Sequence, residues 1–223
     1  MVHPPADPLR ALAWLLLAVG VAVGCGPQPK EVPIVAQQPT LSAEEMPNPL
    51  PPTRLGLWRD GRKVRPGDTV EDAMDVFPRP RNAAVFYDPP SVFGKDFRAK
   101  GWDSGREGFG VIATRGQVVL ALRVEYDVAA ERPMELVDQY TAEHGLPTST
   151  VEEGKTSYWF WDRAPYRLAV CRTQDAEGNV ALVSGVGVIP AMEAIGLGPA
   201  VAAADLAIAR NLLSEQPTSA SAP

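Results

Sequence analysis

Proline placement sets the outer limits on how this chain folds. Eight of its 23 prolines fall between residues 27 and 52: Pro27, Pro29, Pro33, Pro39, Pro47, Pro49, Pro51 and Pro52. Each fixes φ and removes a backbone donor, so neither a helix nor a sheet runs through them. Apolar residues are sparse and scattered there. Residues 25–54 therefore read as Cys25 followed by an extended, disordered linker covering ~3.1 Å per residue. The remaining prolines fence shorter segments further on and leave roughly 130–160 residues to fold, enough for one domain with its own core.

The residues before the linker have the opposite character. Ala11–Gly24, ALAWLLLAVGVAVG, is an unbroken apolar or glycine run behind Arg10. Its fourteen residues fall short of the ~20 that a spanning helix needs and match the apolar core of a signal peptide. Small residues then lead to a cysteine, as Ala22-Val23-Gly24-Cys25. This motif resembles the bacterial lipobox, with Ala22 in place of the commoner leucine. The resemblance implies cleavage after residue 24, lipid attachment at Cys25, and an exported, membrane-anchored protein. Gly26 rather than aspartate follows the cysteine, which implies the outer membrane where an envelope has two. The alternatives are ordinary secretion by cleavage at the same bond and an uncleaved anchor.

The folded part is expected over 55–215, with a disordered tail at 216–223. Leu55-Gly56-Leu57-Trp58 and Lys63-Val64 flank Arg59-Asp60-Gly61-Arg62, a hairpin turn signal with Asp-Gly at its centre. Val70, Ala73, Met74 and Phe77 share one helical face, Thr69 and Asp72 start that helix, and Pro78 ends it. Residues 78–101 read as a long loop around a short strand at 83–87. Residues 108–114 and 117–126 alternate as a hairpin. A second helix begins at Pro133, with Leu136, Val137 and Tyr140 as its stripe. Gly145 is expected as its left-handed cap and Leu146 as the apolar contact beyond it. Strands follow at 157–161, 166–173 and 180–188, and an Ala-rich helix at 200–214. The fold class is α+β. It reads as a degenerate duplication, 58–127 and 131–188, of one helix plus a three-stranded antiparallel meander.

A helix ending in Gly145-Leu146-Pro147, then Tyr158-Trp159-Phe160-Trp161, then a hairpin, resembles the β-lactamase-inhibitor-protein-like fold. That group includes a small lipoprotein component of the outer-membrane barrel-assembly machine. The resemblance covers about 58–188. The first half departs from it through its Pro-rich insertion and the lack of Gly-x-Pro after its helix. It implies protein binding on a sheet face without catalysis, and no family site residue transfers to this chain.

Chemistry-bearing motifs are few. Net charge is −6 with no basic block, which argues against a nucleic-acid partner. No phosphate loop, zinc motif or calcium loop is present, so no metal or cofactor is expected. Two cysteines and two histidines leave Cys171 and His144 as the one pair for a thiol enzyme, the least favoured reading. His144 at a helix end reads as a cation suited to the dipole, and Cys171 as a buried thiol. Trp159 and Trp161 on one strand, and Phe93 and Phe97 in the long loop, are the candidate binding residues. They are expected to contact an envelope protein or, as the alternative, a cell-wall glycan.

Overall fold

The computed structural model describes residues 40–174 and 178–199. The signal segment 1–24, Cys25, the Ala-rich helix expected at 200–214 and the tail 216–223 lie outside them. A short 3-10 turn at Ala43–Glu45 leads to the hairpin β1 (Leu57–Arg59) and β2 (Arg62–Val64), then helix α1 (Val70–Val76). Four strands follow: β3 (Ala84–Phe86), β4 (Arg98–Asp103), β5 (Glu107–Thr114) and β6 (Gln117–Glu125). Helix α2 (Arg132–His144) precedes four more, β7 (Ser149–Glu153), β8 (Thr156–Arg163), β9 (Tyr166–Gln174) and β10 (Val180–Val188), and helix α3 (Ile189–Ala194) comes last. Strands β3–β10 form one antiparallel sheet in the order β3-β4-β5-β6-β10-β9-β8-β7. Each half is thus one helix followed by a meander, and the meanders meet where β6 pairs with β10.

The fold class is α+β, but each meander has four strands where three were expected. The missed strands are β4 and β7. β4 reads Arg-Ala-Lys-Gly-Trp-Asp and β7 reads Ser-Thr-Val-Glu-Glu, and neither shows an apolar alternation. Pairing with a strong neighbour makes them strands, which local propensity does not encode. α3 was also unforeseen.

Local chemistry explains the elements that were foreseen. The Thr69 side chain accepts from Asp72 N at 3.1 Å and caps α1, satisfying one of the orphan donors of its first turn. Asp60 and Gly61 take φ of 49° and 79°, the left-handed pair that a two-residue hairpin turn demands.

The linker expectation needs correction. Leu41, Ala43 and Met46 are buried in the same core as the sheet. Leu41 bridges to Phe93, and the Tyr166 hydroxyl donates to the Pro51 carbonyl at 2.5 Å. The domain therefore starts near residue 40. Prolines limit regular structure in this segment to the 3-10 turn at Ala43–Glu45, but they do not stop an irregular chain from packing its few apolar residues into a groove.

Strand register assigns the two faces of the sheet. Phe109, Trp102, Ala121, Val186, Leu168 and Trp161 share one face through the β4–β5, β5–β6, β6–β10, β10–β9 and β9–β8 pairings. This face carries α1 and α2: Phe77, just past α1, stacks on Phe109 at 4.1 Å, and Tyr140 of α2 packs on Trp161 at 5.7 Å. The opposite face carries Leu122, Gly185, Ala169, Cys171, Phe160 and Tyr158, and α3 packs there.

Close packing makes one glycine obligatory. A Cβ on Gly101 of β4 would lie 2.0 Å from Phe86 Cζ and 2.5 Å from the Phe109 carbonyl oxygen. The ring can turn away, but the carbonyl belongs to the sheet. Gly101→Ala is expected to destabilise the fold by about 1–3 kcal/mol, measured by urea unfolding, with the loss felt first at the short edge strand β3.

Candidate binding cleft

The aromatic residues singled out as a recognition platform do not form one. Trp161, Phe97 and Phe93 are buried, at 0%, 0% and 5% exposure, and Trp159 is half-buried against the core. Phe93 and Phe97 pack edge to face on each other at 5.2 Å. Trp161 lies under α2, with its indole donating to the Gly145 carbonyl at 2.8 Å. The long loop and the aromatic strand are core because helices and the 40–54 segment cover them, a fact of tertiary packing that alternation along one strand cannot show. A glycan reading built on these rings loses its carriers.

His144 and Cys171 do not meet either. Cys171 is buried on the face opposite α2, whereas His144 ends α2 and lies beside its Tyr140 ring. The histidine is no solvated cap. Its side chain is 5% exposed, and burial, reinforced by Lys63 and Arg163, holds its pKa below the ordinary value. Gly145 after it has φ 80° and ψ −173°, a glycine conformation but not the left-handed helical cap, and Leu146 is 80% exposed instead of packing back on the helix.

What opens on the surface is a cleft that the sequence did not announce. It has a volume of about 260 Å³ and is lined by Trp58, Arg59 and Asp60 of the β1–β2 hairpin, Arg123 of β6, and Arg132, Leu136 and Gln139 of α2. Its floor follows from the alternation of β6. Ala121, Arg123 and Glu125 share the helix-covered face, so the strand's far end places two charges where its middle places an apolar side chain.

Those charges continue into a ladder of alternating sign. Arg59 pairs with Asp60 at 3.8 Å and with Glu107 at 3.2 Å. Arg123 pairs with Glu107 at 2.7 Å and with Glu125 at 3.1 Å. Arg132 pairs with Glu125 at 3.3 Å and with Glu135 at 3.8 Å. The guanidiniums of Arg59 and Arg123 also lie over the Phe77 ring at 5.2 and 5.8 Å. The ladder thereby ties hairpin, sheet and α2 together. Isolated exposed pairs contribute little, but a partly buried network with planar Arg forks holds defined geometry.

The hairpin's outer side is fixed to the end of α2 by one carboxylate. Glu143 accepts from the Trp58 indole through Oε2 and from Lys63 Nζ through Oε1. The Lys63 ammonium sits 4.3 Å from the centre of the Trp58 ring. Burial, then the neighbouring Arg65, lowers the Lys63 pKa. Among the described residues, no group of three or more His, Cys, Asp or Glu side chains is placed to hold a metal ion. The cleft offers hydrogen-bond donors and acceptors of both charge signs beside one indole, which is chemistry for recognition.

No protein-family model matches this chain, and no curated protein matches it. Among solved structures, a cysteine-rich secretory protein from Staphylococcus aureus subsp. aureus Mu50 is similar over 58% of this chain and 45% of its own, with 11% identity and a TM-score of 0.31. This chain therefore spans less than half the length of that structure.

Proposed function

We propose that this chain is a lipid-anchored, non-enzymatic binding module of a bacterial cell envelope, exported through its signal segment and tethered at Cys25. It engages a protein partner at the cleft on the helix-covered side of the sheet. The cleft is the observation that carries this reading. Pockets for small ligands run to about 300–1,000 Å³ and are mostly apolar; this one is smaller, about 260 Å³, and largely charged. Its size suits one or two side chains from a docking protein, and its alternating charges suit a surface of complementary pattern. Such complementarity contributes specificity and association rate more than raw affinity.

Gln139 offers the cleanest test because it is exposed, lines the cleft and stands outside the charge ladder. Cross-linking in intact envelopes is expected to capture a defined protein with the wild-type chain and to lose it with Gln139→Trp, the melting temperature staying unchanged. Capture that survives this substitution removes the cleft from the reading. Sedimentation with purified wall material that depends on Gln139 would favour a glycan instead. In the same cells Cys25→Ala is expected to abolish incorporation of labelled fatty acid, and label retained on the variant would exclude the anchor.

A further inference from the structure

The junction between the hairpin and the end of α2 contains one buried polar atom without a partner. His144 Nε2 is fully buried and makes no hydrogen bond, an arrangement that costs about 1–3 kcal/mol. The nearest carboxylate oxygen is Glu143 Oε2 at 3.7 Å, too far for a hydrogen bond. That same oxygen accepts the Trp58 indole N–H. Around the imidazole, β2 contributes Lys63, β8 contributes Arg163, whose Nη2 donates to the His144 carbonyl at 3.0 Å, and α2 contributes Tyr140 and Glu143. Glu143 is the one anion of the set, and both its oxygens are in use.

We propose that His144 is an acid-sensing latch: when it gains a proton, its Nε2–H draws Glu143 Oε2 away from the Trp58 indole and loosens the cleft wall that Trp58 forms. An imidazolium in this pocket faces two cations and one carboxylate. Closing the 3.7 Å gap to a charge-assisted hydrogen bond of ~2.8 Å takes less than about one ångström of side-chain motion. A carboxylate oxygen can accept two hydrogen bonds, but moving Oε2 toward the imidazolium lengthens its bond to the indole, which then turns toward solvent. The β1–β2 hairpin forms its own two-stranded sheet, separate from the hydrogen-bond ladder of the large one, so its polar side chains can shift without disturbing that ladder.

Burial and the cations at Lys63 and Arg163 keep the imidazole neutral at pH 7. Because the pKa of the latched state lies below the unconstrained value of about 6.5, the latch is fully stable above that pH and weakens as pH falls beneath it. The opening constant rises by at most tenfold per pH unit, the slope of a single proton. The device works on the cleft wall whatever the cleft binds.

Indole N–H resonances of the ¹⁵N-labelled full chain test this, with Trp58 assigned by Trp58→Phe. Between pH 7.5 and 5 the Trp58 resonance is expected to move along a one-proton curve with the same midpoint as the His144 ring protons. His144→Gln is expected to flatten that curve. In Glu143→Gln, which keeps the imidazole, His144 is expected to titrate while Trp58 no longer follows; this comparison stands even where His144→Gln fails to fold. A Trp58 resonance that stays put while His144 titrates, or that moves equally in His144→Gln, overturns the latch.

Discussion

Replacing Trp161 with alanine is expected to unfold the protein at about 4 kcal/mol lower stability, within the ~3–5 kcal/mol range for removing a buried large aromatic. The ring has no exposure, it packs on Tyr140 at 5.7 Å, and its indole is the donor to Gly145 at 2.8 Å. Alanine therefore leaves a cavity between α2 and the sheet and a carbonyl without its donor. The urea midpoint should fall by roughly 2 M, given a slope of about 2 kcal/mol per molar. Trp161→Phe refills most of the space and loses the hydrogen bond, so a smaller loss of about 1–2 kcal/mol is expected. An alanine variant with an unchanged midpoint but lost partner capture would return Trp161 to the recognition surface and contradict its position under α2.

Arg167→Ala is expected to be nearly as costly, at about 3 kcal/mol, and its effect should be local first. Arg167 is 4% exposed. Its guanidinium forks onto Asp162 at 2.7 and 2.9 Å, reaches Glu193 of α3 at 3.2 Å and donates to the Leu197 carbonyl at 3.3 Å. It also lies 5.4 Å from the centre of the Phe160 ring. Breaking a buried pair by removing one partner costs ~3–5 kcal/mol because the other charge stays behind. The lower end applies here because Asp162 and Glu193 keep a third to a half of their exposure. These bonds pin the end of α3 to the sheet, so amide exchange in 189–198 should accelerate more than in β5 or β6. Arg167→Lys keeps the charge but not the fork, and an intermediate loss is expected. Uniform acceleration across the sheet would show that Arg167 supports the whole core and not α3 in particular.

These two residues mark where reading along the chain succeeds and where it stops. Trp161 was legible as part of a strand, because four consecutive aromatics run from 158 to 161 between turn signals. Its direction was not: the strand carries aromatics on both faces, and Trp161 was assigned to the partner-facing one. Its burial was not, because that depends on Tyr140 and Gly145 arriving from another element. Phe93 and Phe97 show the same limit: a segment punctuated by Pro89 and Pro90 carries no period, so its aromatics looked like surface until Leu41 and Thr114, from outside it, joined its fold. Arg167 carried no signal along the chain, and only α3 explains why a charge sits there.

The cleft was illegible for a related reason. Arg59, Arg123, Glu125 and Arg132 lie on three elements separated by up to seventy-odd residues, and no spacing rule connects them. What the amino-acid sequence by itself determined were the properties set by neighbours along the chain: the helix at Thr69–Phe77 from its cap and stripe, the hairpin at Asp60-Gly61, the alternation of β6 and β10, and the α+β class that these add up to. Short-range sterics and period carry that information. Only the tertiary structure decided which residues from 40 to 54 join the core, that each half pairs four strands, which aromatics are covered, and that seven alternating charges meet around one cleft. Those outcomes depend on long-range contacts, whose free energy exists only once distant segments are brought together.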